Sequence, residues 1–316
     1  NVTTTQTVAS AIYDQLVIPG NFIVGYTEKA WGDYYAWMNN DFLATGFLFL
    51  VIHELVYFGR SAPWFILDRI PFFRKYKIQE TKIPSTAEQM ECLKDVLIAH
   101  AFVEAVPIFA FQPICTFFDI DISANFPTFK NFALQITAFF FMEDTWHYWF
   151  HRALHYGPLY KYIHKQHHKY AAPFGLTAEY AHPVEVAVTG MGTVGSPLLY
   201  AYVFGQMHLV TIICWVVMRL FQAIDAHSGY DFPWSFRHFL PIWAGADHHD
   251  DHHKYFVGNY ASSFRHWDYV LGTETPATAE DIFPEEFRGA REEDCLIMLV
   301  KEGIKAEGHS DWIGQA

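Results

Sequence analysis

The chain has 316 residues, 52% hydrophobic and 18% aromatic but only 17% charged, with 21 Lys and Arg set against 34 Asp and Glu. That formal net charge of −13 and that apolar load exclude a disordered tail and a basic nucleic-acid-binding module. With the aromatic content, a mean hydropathy just above zero is high for a soluble protein and points to membrane spans.

In chain order, Asn1-Val2-Thr3 fits a glycosylation sequon, and no signal-peptide pattern follows it. Phe42 to Phe58 is an apolar run broken by His53 and Glu54, and Val96 to Phe118 is a second, with His100, Glu104 and Gln112 as its polar members. Each approaches the ~20 residues that carry a helix across the hydrocarbon core. Arg60, Arg69, Arg74, Lys75, Lys77, Lys82 and Lys94 lie between or beside these runs, and the positive-inside bias assigns them to the cytosol, which makes the sequon lumenal. Residues 132–150 start apolar and run into Glu143-Asp144-Thr145-Trp146-His147, so they either cross or enter the interface and continue as a partly soluble helix. Val186 to Ile224 is about twice the spanning length and carries Gly205-Gln206 near its middle, the pattern of a hairpin that crosses and returns. If 132–150 crosses, the histidines before and after that hairpin share the cytosolic face. The expected fold is all-α and membrane-integral, with about four transmembrane helices, a cytosolic helical cap (151–185 and 225–275) and an acidic tail (276–316). Cys92, Cys115, Cys214 and Cys295 are far apart with no C-x-x-C pair, and read as thiols in a reducing compartment.

Of 18 histidines, three clusters carry chemistry: His151-x-x-x-His155, His164-x-x-His167-His168 and His249-x-x-His252-His253. On a helix, positions i, i+3 and i+4 share a face, so each H-x-x-H-H box is expected to aim three imidazoles into one space. Neutral imidazole binds iron, zinc or copper through one nitrogen while the other donates to an outer partner. Eight imidazoles exceed what one first-row ion takes, so two metals are implied. A structural zinc site would use more cysteine, and a hydrolytic pair of metals would use bridging carboxylates. Histidine ligands at the edge of a membrane suit two irons that activate oxygen for attack on a lipid-borne substrate. The alternative, histidines on solvated helix faces or facing headgroups, has to account for eight of them at helical spacing.

These boxes, with Asp144-Thr145-Trp146-His147-Tyr148-Trp149-Phe150 before the first and Gly258-Asn259-Tyr260 after the last, resemble the fatty-acid hydroxylase/sterol desaturase superfamily of endoplasmic-reticulum enzymes. Ala172-Pro173-Phe174-Gly175-Leu176-Thr177-Ala178-Glu179-Tyr180-Ala181-His182-Pro183 and Ala226-His227-Ser228-Gly229-Tyr230-Asp231 resemble its fungal branch of sterol 4α-methyl oxidases, over about Phe42 to Gly272. The resemblance implies one membrane-embedded catalytic domain over 1–316. It implies two irons held by His151, His155, His164, His167, His168, His249, His252, His253 and His227. Where the fatty-acid hydroxylases have a further His, this chain has Asp231, so His182 is the candidate for the tenth position. The activity implied is O2-dependent oxidation of the sterol 4α-methyl group to alcohol, aldehyde and carboxylate. Electrons come from NAD(P)H through cytochrome b5 and its NADH reductase, alongside other sterol C-4 demethylation enzymes. The rivals are a sterol C-5 desaturase or fatty-acid 2-hydroxylase of the same superfamily, and a non-catalytic membrane metal-binding or transport protein with ligands along a path through the spans.

Trp146, Trp149 and Phe174 are candidates to wall a sterol pocket. His147, four residues before His151, reads as an outer or substrate-facing residue, and His248 is expected to point away from the metals. His53 and His100, inside apparent spans, read as hydrogen-bonded core histidines. His53-Glu54 opens like a zinc-protease helix but lacks the second His. Gly190-x-Gly192-x-x-Gly195 matches a dinucleotide-binding pattern, but it lies in an apolar span without the acidic residue a ribose needs, and is read as small residues that allow close helix packing. Lys161, Lys165 and Lys169 recur on one face and suit headgroups, an acidic electron donor or solvent. His208, His238, His266 and His309 are assigned no role.

Overall fold

Capping residues set where the long helices begin in the computed structural model, which describes residues 24–275. The sequon, Cys295, His309 and the acidic segment 276–316 lie outside the described residues. Helix α1 (Asp41–Leu67) starts where the Asn40 side chain accepts from Leu43 N–H. Helix α2 (Thr86–Ala99) opens on a reciprocal cap between Ser85 and Glu88. It continues through a π turn (His100–Glu104) into Ala105–Phe109 and Phe111–Phe117. Helix α3 (Phe129–Leu154) is capped by Thr128. Helices α4 (Pro183–Phe204) and α5 (Leu209–Ala226) form the expected hairpin. Its turn puts Gly205 and Gln206 at positive φ, a conformation that glycine adopts without a Cβ penalty. A shorter helix, α6 (Ala246–Tyr255), carries the third histidine box. Among the described residues there are no strands, only isolated bridges.

Four helical stretches are long and apolar enough to cross a membrane: Asp41–Leu67, Thr86–Phe117, Pro183–Phe204 and Leu209–Ala226. The apolar runs at 42–58, 96–118 and 186–224 fall on them, and the chain is a multi-pass membrane protein. Large apolar side chains such as Leu55, Phe102, Phe117, Leu199 and Tyr202 stand exposed on the outer faces of α1, α2 and α4, as lipid-facing residues do. The run at 132–150 is outside the four, and Glu143 and Asp144 interrupt it. Helix α3 begins beside the hairpin turn, where Gln135 Nε2 donates to the Gln206 carbonyl at 3.0 Å. It ends 26 residues later at the histidines, so it runs the length of the bundle against α4. The basic loop after α1 sits at that same end, with Ile78 N–H bonded to the Gly229 carbonyl and Gln79 to the Asp250 carboxylate. At the opposite end, Asp121 pairs its backbone with Met207 and Leu209.

The stem core gathers Phe49, Phe139, Met207, Leu209, Ile212 and Trp215, and a second core under the cap gathers Tyr57, Trp64, Phe174, Leu176, Ile224 and Tyr230. The close-packing reading of the glycine pattern holds at one position. A Cβ on Gly192 would meet Trp146 Cδ1 of α3 at 2.5 Å, whereas Gly190 and Gly195 have nothing within 4 Å. Trp146 is fixed there by its indole N–H on the Val188 carbonyl at 2.8 Å. Gly192→Val is therefore expected to lower the thermal midpoint of the detergent-solubilised protein by an overpacking cost of about 1–3 kcal/mol, while Gly190→Ala and Gly195→Ala leave it unchanged or raise it. Equal destabilisation by all three would refute this packing.

Candidate metal centre

Helix α3 delivers His151 in its last turn and His155 at its C-cap. The second box differs from expectation: His164–Lys169 is a 3-10 turn rather than an α-helix. The third box lies on α6, and His227 is the C-cap of α5. These elements bring nine imidazoles together in two groups. His151, His155, His164, His168 and His252 form one, and His167, His227, His249 and His253 the other; within each, one ligand nitrogen per residue lies within 4.8 Å of all the rest.

The boxes therefore do not each aim three rings into one space. Each straddles both groups, His164 and His168 turning one way and His167 the other, His252 one way and His249 and His253 the other. On α6 the reason is geometric, because successive residues such as His252 and His253 diverge by about 100° around a helix axis. A helix pointed between two sites feeds both.

Inside the first group the Nε2 atoms of His151 and His164 are 3.1 Å apart, those of His164 and His168 3.0 Å, and those of His155 and His252 3.2 Å. In the second group the spacings are 3.2 Å for His167 and His227, 2.9 Å for His227 and His249, and 3.1 Å for His249 and His253. The opposite ring nitrogens are held from outside. Nδ1–H of His151 donates to the Tyr260 carbonyl, His167 to Tyr180, His227 to Ala223, His252 to Gly258 and His253 to Tyr170. His164 Nδ1 faces the Glu185 carboxylate at 2.8 Å. A proton held on Nδ1 leaves Nε2 bare. In the six rings held this way Nε2 is the free nitrogen, and Nε2 atoms facing one another at this spacing fit a cation between them. Burial, reinforced by neighbouring imidazoles, holds the His155, His164, His168, His249, His252 and His253 rings well below the ordinary imidazole pKa. Burial likewise brings His167 down to about 4 and His227 to about 3. Both sets are therefore neutral at neutral pH, the form in which imidazole can bind a metal.

His182 is not brought to either group. Its Nδ1 accepts from Val184 N–H at 3.1 Å and caps the start of α4. Asp231 is elsewhere too, in an ion pair with Arg237 and 3.1 Å from His238 Nε2. The second group thus has four imidazoles where the first has five. His147 touches His151 ring to ring at 5.2 Å and lies 3.6 Å from Glu143, outside both groups. His248 turns away, toward Asp268 at 3.4 Å. Trp146, Trp149 and Phe174 do not meet: Trp146 packs on Gly192, Trp149 is half exposed beside Trp267, and Phe174 is buried against Tyr170.

Other residues that build the centre carry no ligand pattern. The Gly258 and Tyr260 carbonyls hold His252 and His151, and that segment is itself pinned by Asn259 N–H on the Thr273 carbonyl and by Asp268, which accepts from Tyr260 and Ala261 N–H. Glu143 binds Arg219 of α5 at 2.8 Å, and Asp144 accepts from Ser263 and Phe264 N–H. An acidic pair in an apolar run is the sequence signal for this anchor.

A family model described as fatty acid hydroxylase matches residues 136–273. Over 253 residues the chain is 60% identical to the C-4 methylsterol oxidase of Candida albicans, covering 80% of this chain and 82% of that protein. A methylsterol monooxygenase of Aspergillus fumigatus is 58% identical over 247 residues (78% and 83%), and methylsterol monooxygenase 1 of Rattus norvegicus 43% over 227 (71% and 75%). No solved structure matches significantly.

The depressed histidines fix a pH dependence. Their unfolded forms titrate near pH 6.5 and their folded forms lower, so the stability they contribute is complete above about 6.5 and lost as pH falls toward the folded values. Metal-stripped protein is expected to hold its thermal midpoint above about pH 7 and to lose it steeply between about 6.5 and 5. A midpoint that stays flat across that range would contradict the burial of neutral rings.

Proposed function

The chain belongs to the fatty acid hydroxylase family and, within it, to the C-4 methylsterol oxidases, and from that membership we propose that it is an oxidoreductase that oxidises the 4α-methyl group of a sterol, using two irons and O2. The observation that carries the metal part is the pair of adjoining groups of bare Nε2 atoms, five and four in number. In this reading His151, His155, His164, His168 and His252 hold one iron, and His167, His227, His249 and His253 the other. Bound iron supplies the activation of O2 and the removal of hydrogen from the methyl carbon, which is taken through alcohol and aldehyde to carboxylate.

The chain's own residues do the rest. The carbonyls of Tyr260, Tyr180, Ala223, Gly258 and Tyr170 fix the tautomer of five rings, and Glu185 does so for His164. Burial of the imidazoles keeps water from the centre. The four-membered group has fewer protein donors, which suits a site that keeps a position open for O2. The apolar stem delivers a substrate dissolved in the bilayer to one end of the bundle.

The same proposal places the protein in the endoplasmic reticulum membrane with the cap in the cytosol, since the basic loop and the histidines share one end of the stem. There the centre is reached by electrons from NAD(P)H through cytochrome b5 and its reductase. Lys161 and Lys165 are exposed beside the second box and suit an acidic donor, whereas Lys169 is paired with Glu91 at 2.9 Å.

Iron-loaded protein supplied with reductant, O2 and 4,4-dimethylsterol is expected to yield a sterol oxidised at the 4-methyl carbon by mass spectrometry; a new ring double bond, a hydroxylated acyl chain or unchanged sterol would contradict the proposal. Glu185→Gln, which weakens the hold on His164 without removing a ligand, is expected to cost about 10–100-fold in turnover or iron affinity. Wild-type values for both would remove Glu185 from the account.

A further inference from the structure

A third group of ligating side chains lies outside the two histidine groups, inside the stem. It joins His53 of α1, His100 and Glu104 of the π turn in α2, and Glu179 at the end of the 3-10 turn Gly175–Glu179, with one ligand atom from each within 4.8 Å of the others. Its inner geometry repeats that of the histidine centre. One oxygen of Glu54 faces both outer ring nitrogens, His100 Nδ1 at 3.0 Å and His53 Nδ1 at 3.4 Å. Both Nε2 atoms are thereby turned inward on the same two carboxylates. His53 Nε2 is 3.3 Å from Glu179 and 3.4 Å from Glu104, and His100 Nε2 is 2.9 Å from Glu179 and 3.9 Å from Glu104. Outer carboxylate, ring, inner nitrogen is the arrangement that orients a metal-binding imidazole.

Three inner atoms, His100 Nε2, Glu104 Oε1 and Glu179 Oε2, are buried without an aligned hydrogen bond, and His100 is only 3% exposed. His100 Nε2 and Glu179 Oε2 lie 2.9 Å apart without the alignment of a hydrogen bond. Four donors about 2.0–2.1 Å from one ion stand roughly 3.3 Å apart in tetrahedral geometry; the nitrogen–oxygen separations here run from 2.9 to 3.9 Å, with a different oxygen of each carboxylate facing each ring. Two neutral imidazoles and two carboxylates also cancel a divalent charge, leaving the Glu54 carboxylate on the outer side of the rings as the residual charge of the filled site. A π turn in a helix is often found where function requires it, and here it carries two of the four ligands.

We propose that His53, His100, Glu104 and Glu179 bind a single divalent transition-metal ion, zinc or ferrous iron by donor type, as a structural pin between stem and cap. The ion ties α1 and α2 to the segment whose next residue, Tyr180, offers the carbonyl that holds His167. The sequence pattern His53-Glu54 is completed by an imidazole from another helix rather than from its own.

Full-length protein in detergent, stripped of metal and re-equilibrated with excess zinc, is counted for bound metal by plasma mass spectrometry after gel filtration. The double variant Glu104→Gln/Glu179→Gln is expected to retain one equivalent fewer than the wild type. Equal counts would overturn the proposal and leave a cluster held together by protons. His53→Gln makes the same prediction should the double variant not fold. Because the readout is the difference between the two proteins, it does not depend on how many ions the cap binds.

Discussion

Nine imidazole rings whose Nε2 atoms face one another in two groups, at 2.9–3.2 Å between the paired nitrogens, set the terms for the rest of this protein. A buried polar atom left without a partner costs about 1–3 kcal/mol, so each of these rings depends on what the others offer it. Eight of the nine rings are buried, so water cannot relieve them. On the two-metal proposal, one ion would satisfy all the members of a group at once and so couple folding of the cap to metal loading. The carbonyls and the carboxylate that grip the outer ring nitrogens serve the same end, since they remove the alternative in which the rings rotate and hydrogen-bond among themselves.

Holding such a centre requires elements distant in sequence to stay in register, and the stem accomplishes this with a few buried polar contacts. Arg219 of α5 meets Glu143 of α3, while Asp144 beside it receives two backbone N–H groups from the segment after the third box. Lys77 of the basic loop is buried on Asp68, which also accepts from Gln89 and Tyr230, so the loop, α2 and the segment after His227 meet at one carboxylate. Each pair is expensive to bury and more expensive to break. Their placement at the junction of stem and cap gives the grouped histidines a fixed frame.

The apolar runs, the hairpin and eight of the nine grouped histidines could be read from the amino-acid order, because run length and histidine spacing are local signals, whereas His227 came only with the family resemblance. What could not be read was which histidine joins which group. Spacing says that His249, His252 and His253 share a face, but not that the face points at the boundary between two sites, which depends on elements arriving from elsewhere. His182 misled for a related reason: an Ala-His-Pro segment near two boxes looks like a ligand donor, whereas a histidine just before a proline-led helix is also well placed to cap it. The span at 132–150 was ambiguous because Glu143 and Asp144 read as the end of an apolar run when they are its internal anchors. The group around His53 and His100 was invisible as a unit, being assembled from three separate elements.

The central claim is that the histidines of the cap form two neighbouring metal sites rather than one, divided across the boxes. An anomalous difference map recorded at the iron edge on the iron-loaded protein tests it most directly. The account predicts two peaks in the cap, one enclosed by His151, His155, His164, His168 and His252 and the other by His167, His227, His249 and His253. A single peak there, or peaks bounded by the three histidines of one box, would contradict it.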